Sequence, residues 1–172
     1  MISQRIKELK NLFNKENIDG YVIPKNDEFF SEFSKIDRLK IISNFSGSAG
    51  YAVILKNKNY LFVDGRYTIQ AQIESGKNFI ITEYHKIVNC NLFKNLTLGI
   101  NPKLFTSNQI KKFFLKNNKI KLIEKDLIKQ NYEKKLNDLR PFFSLDKLIV
   151  GQSHKKKINK IIDFLKKNKS NF

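Results

Sequence analysis

Cysteine is nearly absent from this 172-residue sequence: Cys90 is its only one, so no disulfide can close within the chain. A buried, inert thiol in a reduced, cytosolic setting is the simplest reading. Histidine is almost as scarce. His85 and His154 stand apart, and no H-E-x-x-H motif or His/Cys cluster offers the spacing of a catalytic metal site. Tryptophan is missing, yet an apolar share of 41% and an aromatic share of 12%, dominated by Phe, suffice for a buried core. There is no long apolar run, and Met1-Ile2-Ser3-Gln4-Arg5 leads directly into a charged helical pattern, which argues against secretion and membrane spanning.

Arginine is sparse too. Only Arg5, Arg38, Arg66 and Arg140 occur among 33 basic residues, although the formal net charge is +17. Lysine-rich charge attracts phosphates by counterion release, but a surface that reads base edges would draw on the planar fork of Arg. The excess of Lys and Asn reads as compositional drift, and no specific nucleic-acid partner is expected. The length fits one domain with residues to spare.

Ile2, Ile6, Leu9, Leu12 and Phe13 recur at helical steps and predict an amphipathic helix ending near Asn17. Gly20-Tyr21-Val22-Ile23 reads as a buried strand stopped by Pro24, which lacks a ladder donor. Asp27 to Phe33 reads as a short helix or a loop. Tyr51 to Leu55 and Tyr60 to Val63 are β-prone runs joined by Lys56-Asn57-Lys58-Asn59, an antiparallel hairpin. Asp64-Gly65 ends it, and the helix from Tyr67 to Glu74 has Asp64 in place to cap its first amides. Phe79 to Thr82 and Leu98 to Ile100 follow as strands, Thr106-Ser107-Asn108-Gln109 has capping-box form, and Lys121-Leu122-Ile123 suits an edge strand. This alternation predicts an α/β architecture with a mixed sheet flanked by helices. Residues 1–125 form the first domain in this reading, 126–147 a helix and linker around Arg140-Pro141, and 148–172 the truncated start of a second domain. That start consists of a strand at Leu148-Ile149-Val150 and a helix capped by Ser153.

The loop Ser46-Gly47-Ser48-Ala49-Gly50 invites comparison with phosphate-binding loops, but a strand follows it where a helix N-terminus would be needed, and no Lys-Ser or Lys-Thr pair is present. It reads as a tight turn admitting the chain to a strand. Ser48 lacks the G-x-S-x-G elbow and a neighbouring histidine, so it is no nucleophile. The residues by themselves offer no active site.

Ile18-Asp19-Gly20-Tyr21-Val22-Ile23-Pro24, Asp27-Glu28, Arg38-Leu39, Phe45 through Ile54 with its G-S-A-G turn, and Leu61-Phe62-Val63-Asp64-Gly65-Arg66-Tyr67-Thr68-Ile69-Gln70-Ala71 together resemble the first domain of Xaa-Pro aminopeptidases. Leu98 to Phe105 and Arg140-Pro141 extend the similarity over nearly the whole chain. The resemblance implies a creatinase/prolidase-type N-terminal domain with a ribonuclease-H-like mixed sheet, followed by the start of a second, related domain. It implies a catalytic domain, carrying two divalent metal ions, that would lie beyond Phe172; no cofactor is expected in this chain, and the cysteine usage and N-terminus make a cytoplasmic protein the expectation. Its implied partners are that catalytic domain or another subunit, with a proline-containing peptide as substrate of the complete enzyme only, and no membrane. Asp64, Arg66, Ser48 and Phe45, in the two loops at 64–66 and 44–50, are the implied substrate-access or interface residues. Arg66 would reach a substrate carboxylate or a neighbouring domain, or else orient the hairpin through a salt bridge. Asn44 stands where the family usually has Gly, and it tolerates left-handed backbone. A stand-alone interaction module that keeps the fold is the alternative, and a basic nucleic-acid-binding domain ranks behind it.

Overall fold

Gly20–Pro24 (β1), Gly50–Leu55 (β2) and Asn59–Val63 (β3) are buried on both faces almost throughout, which places them in the middle of a covered sheet. The computed structural model describes residues 1–31, 34, 36–88, 92–128 and 143–169. The chain divides into two compact units, Met1–Glu133 and Lys134–Phe172.

The first unit holds a six-stranded sheet in the order β4-β3-β2-β1-β5-β6, where β4 is Ile80–Glu83, β5 Thr97–Ile100 and β6 Lys119–Leu122. β2 runs antiparallel to both β1 and β3, while β1–β5, β5–β6 and β3–β4 are parallel pairs. Five strands therefore point one way and only β2 opposes them. This is the mixed sheet predicted, hairpin included, and Asn59 turns out to open β3 instead of closing the connection. Pro24 does not stop β1 early; it pairs with Tyr51 as the last strand residue. Because Lys25 N–H donates to Gly50 O (3.0 Å), position 24 faces the β5 side, where pairing has ended at Val22, and the missing amide costs no bond.

Side chains alternate across the sheet with the period of two that a strand imposes. Tyr21, Ile23, Ala52, Ile54, Leu61 and Val63 face one core cluster, with Ile6, Leu9, Leu39, Ile42 and Ala71 from the helices Ile2–Asn11 (α1), Arg38–Ser43 (α2) and Thr68–Ser75 (α3). Val22, Tyr51, Val53, Tyr60, Phe62, Leu98 and Ile100 face the other, covered by Ile87, Phe93, Phe105 and Phe114. Burying each large apolar side chain contributes roughly 1.5–3 kcal/mol, so the two-sided core dominates the stability of this unit.

Two expectations need correcting here. α1 ends at Asn11, not near Asn17; the intervening residues form turns that close with Ile18 N–H donating to Phe13 O (3.0 Å), and Asn17 is left-handed (φ 47°). Of the two readings of the segment from Asp27, the loop holds: Asp27–Phe30 is a turn, with Asp27 Oδ1 accepting from the amides of Phe29 and Ser31. The capping box at Thr106 and Gln109 forms as read and starts Ser107–Ile110 (α4), which runs on as a π-turn over Lys111–Leu115. Asp126, Leu127 and Ile128, read as the start of the linker, pack on this unit: Leu127 and Ile128 are buried, and Asp126 pairs with Arg38.

In the second unit, Lys147–Val150 is a helical turn (α5), not a strand. Asp146 decides it, since its carboxylate accepts from Leu148 N–H (2.8 Å) and its carbonyl from the amides of Ile149 and Val150. Ser153 caps His154–Lys167 (α6) as expected, and Ile158, Ile161 and Phe164 on that helix are exposed. Cys90 and Arg140-Pro141 fall outside the described residues.

Candidate functional site

Five parallel strands place their carboxyl ends at one edge of the sheet, and the loops that follow β1, β3, β4 and β5 gather there with the loop entering β2. In open α/β sheets this edge is where ligands collect. All four residues singled out in the sequence belong to these loops.

The entry to β2 is built from α2. Asn44 ends α2 in the left-handed region (φ 65°), as its residue type allows, and its N–H donates to Lys40 O. The chain then turns inward, so that Phe45 is fully buried and cannot present itself to a substrate or partner. Its ring lies against Tyr67 (centroids 5.9 Å, interplanar 76°). It also fills the space a side chain at Gly47 would need, since a Cβ there would meet the ring at 2.2 Å, and one at Gly50 would meet Phe62 O at 2.8 Å. Neither glycine has a positive φ, so it is close approach and not backbone freedom that demands glycine at both positions.

Two polar clamps fix this loop to the segment after the hairpin. Ser48 Oγ and Tyr67 OH share a hydrogen bond of 3.0 Å. Glu74 Oε2 accepts from Ser46 N–H (2.8 Å) and Glu74 Oε1 from Ser46 Oγ (2.7 Å), while Gln70 Nε2 donates to both Ser46 Oγ and Glu74 Oε1. Partial burial pushes the Glu74 carboxyl up, but these donors outweigh it and hold the group below its ordinary value. Sequence reasoning missed Ser46, Gln70 and Glu74 as a unit; the one local trace was the i, i+4 spacing of Gln70 and Glu74 on α3.

Asp64 caps a 3-10 turn, Gly65–Tyr67, by accepting from Arg66 N–H (3.0 Å), and not the first amides of α3, whose own N-cap Tyr67 makes no side-chain capping bond. The Arg66 guanidinium returns to the same carboxylate through Nε (2.9 Å) and lies 5.7 Å from the centre of the Tyr67 ring. The bonds from Arg66 hold the Asp64 carboxyl below its ordinary value. Arg66 nevertheless stays 78% exposed, an oriented cation offered to solvent at the sheet edge. Beneath this edge Arg38, 2% exposed, binds Glu28 through Nη2 and Asp126 through Nε (2.7 Å), so one buried guanidinium ties the loop after β1 to the segment after β6. Among the described residues no three His, Cys, Asp or Glu side chains form a group that could hold a metal ion, and no helix is long and apolar enough to cross a membrane.

A mixed sheet with this order, entered by a G-S-A-G loop and left through Asp64-Gly65-Arg66, defines a class, and the chain belongs to it: residues 5–137 match the model of the Creatinase/Prolidase N-terminal domain family. Over 97% of its length it is 31% identical to the protein named "Probable Xaa-Pro aminopeptidase P" in Coprinopsis cinerea, of which it spans 29%. It is also 31% identical to Xaa-Pro aminopeptidase 1 of Dictyostelium discoideum, over 61% of this chain and 18% of that protein. The X-prolyl aminopeptidase of Caenorhabditis elegans shares the fold with a TM-score of 0.68 at 22% identity, over 98% of this chain and 32% of that one. A Creatinase/Prolidase-like N-terminal domain from Corynebacterium diphtheriae aligns with a TM-score of 0.55 at 15% identity, over 71% of this chain and 95% of the domain.

Proposed function

We propose that this chain is the non-catalytic N-terminal part of an Xaa-Pro aminopeptidase-like metallopeptidase of the cytoplasm, and that its sheet edge helps shape substrate access and contacts with a catalytic domain or a second subunit. The observation that supports this reading is the Asp64–Arg66 turn: an exposed guanidinium held rigid by its own carboxylate, on a loop pinned from below by Phe45, Tyr67 and Ser48. A fixed, solvent-facing cation can meet a carboxylate of a peptide or of a neighbouring domain without losing much side-chain freedom. The two divalent ions implied by the family find no ligand set among the described residues, so no chemical step is assigned to this chain.

The test compares residues 1–172 with the same residues joined to a downstream metal-binding domain, both assayed on one Xaa-Pro peptide with metal content measured. The short chain is expected to release no amino acid even with excess manganese, cobalt or zinc, and the joined protein to be active. In the joined protein Arg66→Ala should raise KM more than it lowers kcat. Turnover by the short chain that survives repurification would overturn the reading, and an Arg66→Ala protein with unchanged kinetics would remove Arg66 from it.

A further inference from the structure

The sheet ends in two edges of different chemistry. β6 carries Lys119 and Lys121, the kind of charge that discourages a further strand from pairing with an open edge. β4 has no such guard: Ile80-Ile81-Thr82-Glu83 contains neither lysine nor proline, and among the described residues it pairs with β3 alone. By the period of two, Ile81 turns to the helix side of the sheet, where it packs against the core, and Ile80 to the opposite side, where it is half exposed.

α3 flanks this edge and is equally bare on its outer face. Ile69 and Ile73, one turn apart, are 76% and 80% exposed. Between helix and strand runs a groove of about 500 Å³, lined by Thr68, Ile69 and Ile73 from α3 and by Ile81, Thr82 and Glu83 from β4. An unpaired strand edge and two uncovered isoleucines thus share one surface, which sets them apart from apolar residues scattered singly. Charge along the edge has a direction. The exposed Lys77 precedes β4, and Glu83 closes it. Glu83 already meets His85 (3.2 Å) and Lys86 (3.8 Å), but both are exposed, and such loose surface pairs leave its carboxylate open to a further cation.

We propose that β4 and α3 form a two-fold interface between two copies of this chain, the β4 strands pairing antiparallel into one continuous sheet and the α3 helices meeting side by side. A strand with a cation before it and an anion at its end is complementary to itself reversed: with Ile80 near the axis, Lys77 of each copy reaches Glu83 of the other. An axis normal to the sheet keeps both α3 helices on the same side, with Ile69 and Ile73 of one facing those of the other. An unrelated strand would satisfy the edge of β4 and leave these isoleucines uncovered, whereas a second copy brings the helix together with the strand. One short strand and one helix face make a patch smaller than the roughly 800 Å² per partner of a standard interface, so the dimer is weak, with a Kd on the order of 10–100 µM. The proposal uses none of the loops of the candidate site and stands without the role given to Arg66.

The experiment follows residues 1–172 by sedimentation velocity from about 1 µM to about 1 mM at physiological salt, where charges more than ~8 Å apart on this +17 chain are largely screened. A monomer–dimer equilibrium with nothing larger is expected, because a two-fold interface closes on itself. Ile73→Lys, at a position too exposed to matter for folding, sets like charges against each other and should weaken the dimer at least about tenfold. Lys77→Glu and Glu83→Lys should each weaken it several-fold, since the two-fold repeats every change. An equal mixture of these two variants should associate about as well as the parent, because each then meets its opposite charge at both ends. Ile158→Lys, on the exposed face of α6, should leave the equilibrium unchanged. A chain that stays monomeric to about 1 mM, species larger than a dimer, a dimer indifferent to Ile73→Lys or lost in Ile158→Lys, or a mixture that fails to associate would each overturn the proposal.

Discussion

At Asn44 the backbone leaves α2 with φ 65°, and the residue that sits there sets the entry to the whole Ser46–Gly50 loop. Asn reaches this conformation easily, glycine more easily still, and β-branched side chains only against a penalty of about 1–2 kcal/mol. Asn44→Gly is therefore expected to keep the urea midpoint of the parent, whereas Asn44→Val should lose about 1–2 kcal/mol. Equal losses for both would show that the Asn side chain, not the backbone, carries the turn. Asn44's role was readable in the sequence because residue type alone reports tolerance of that conformation. Arg38 was not readable in the same way: it binds Glu28, ten positions away, and Asp126, 88 positions away, and no pattern links residues so far apart before the sheet has brought them together.

Among the elements, the hairpin β2–β3 was the most legible because two buried, β-branched and aromatic runs flank a short polar link, and both local propensity and tertiary burial favour the same outcome. α2 escaped notice since its six residues are too few to show a helical period. Leu148-Ile149-Val150 has β-type composition but no neighbouring strand among the described residues, and the cap from Asp146 tipped it to a helix. The candidate site was legible as two loops, but not the α3 clamp that joins them. Glu74 in that clamp has a carboxyl below its ordinary 4.5, so the stability it contributes is present above that pH and is lost as the pH falls through its lower value in the folded state. Urea midpoints measured from pH 6 down to about pH 3 should fall less steeply in Glu74→Gln than in the parent. Superimposable profiles would mean that the Ser46 contacts do not stabilise the ionised form.

For the whole molecule, the net charge of +17 is carried mainly by lysine, and no groove-reading element occurs among the described residues. Binding to DNA or RNA is expected to be unspecific and to vanish near physiological salt, as counterion release requires. A complex with sequence preference that persists at that salt, in a mobility-shift assay, would give the charge a function of its own.

The order of the strands also carries a history of assembly. β1, at the centre, finds β2 nearby in the chain, but its other neighbour arrives late: Gly20 pairs with Leu98 only after the hairpin, α3 and β4 have been made. During synthesis, β1 to β4 can close on local contacts while the β5 side of β1 waits open, with its amides and carbonyls unpaired. Closure of that side brings in β5 and β6, and with them Asp126 to its place on Arg38. In this order of assembly the half of the sheet that bears Ser48, Asp64 and Arg66 can form before the segment after β6 is fastened to Arg38.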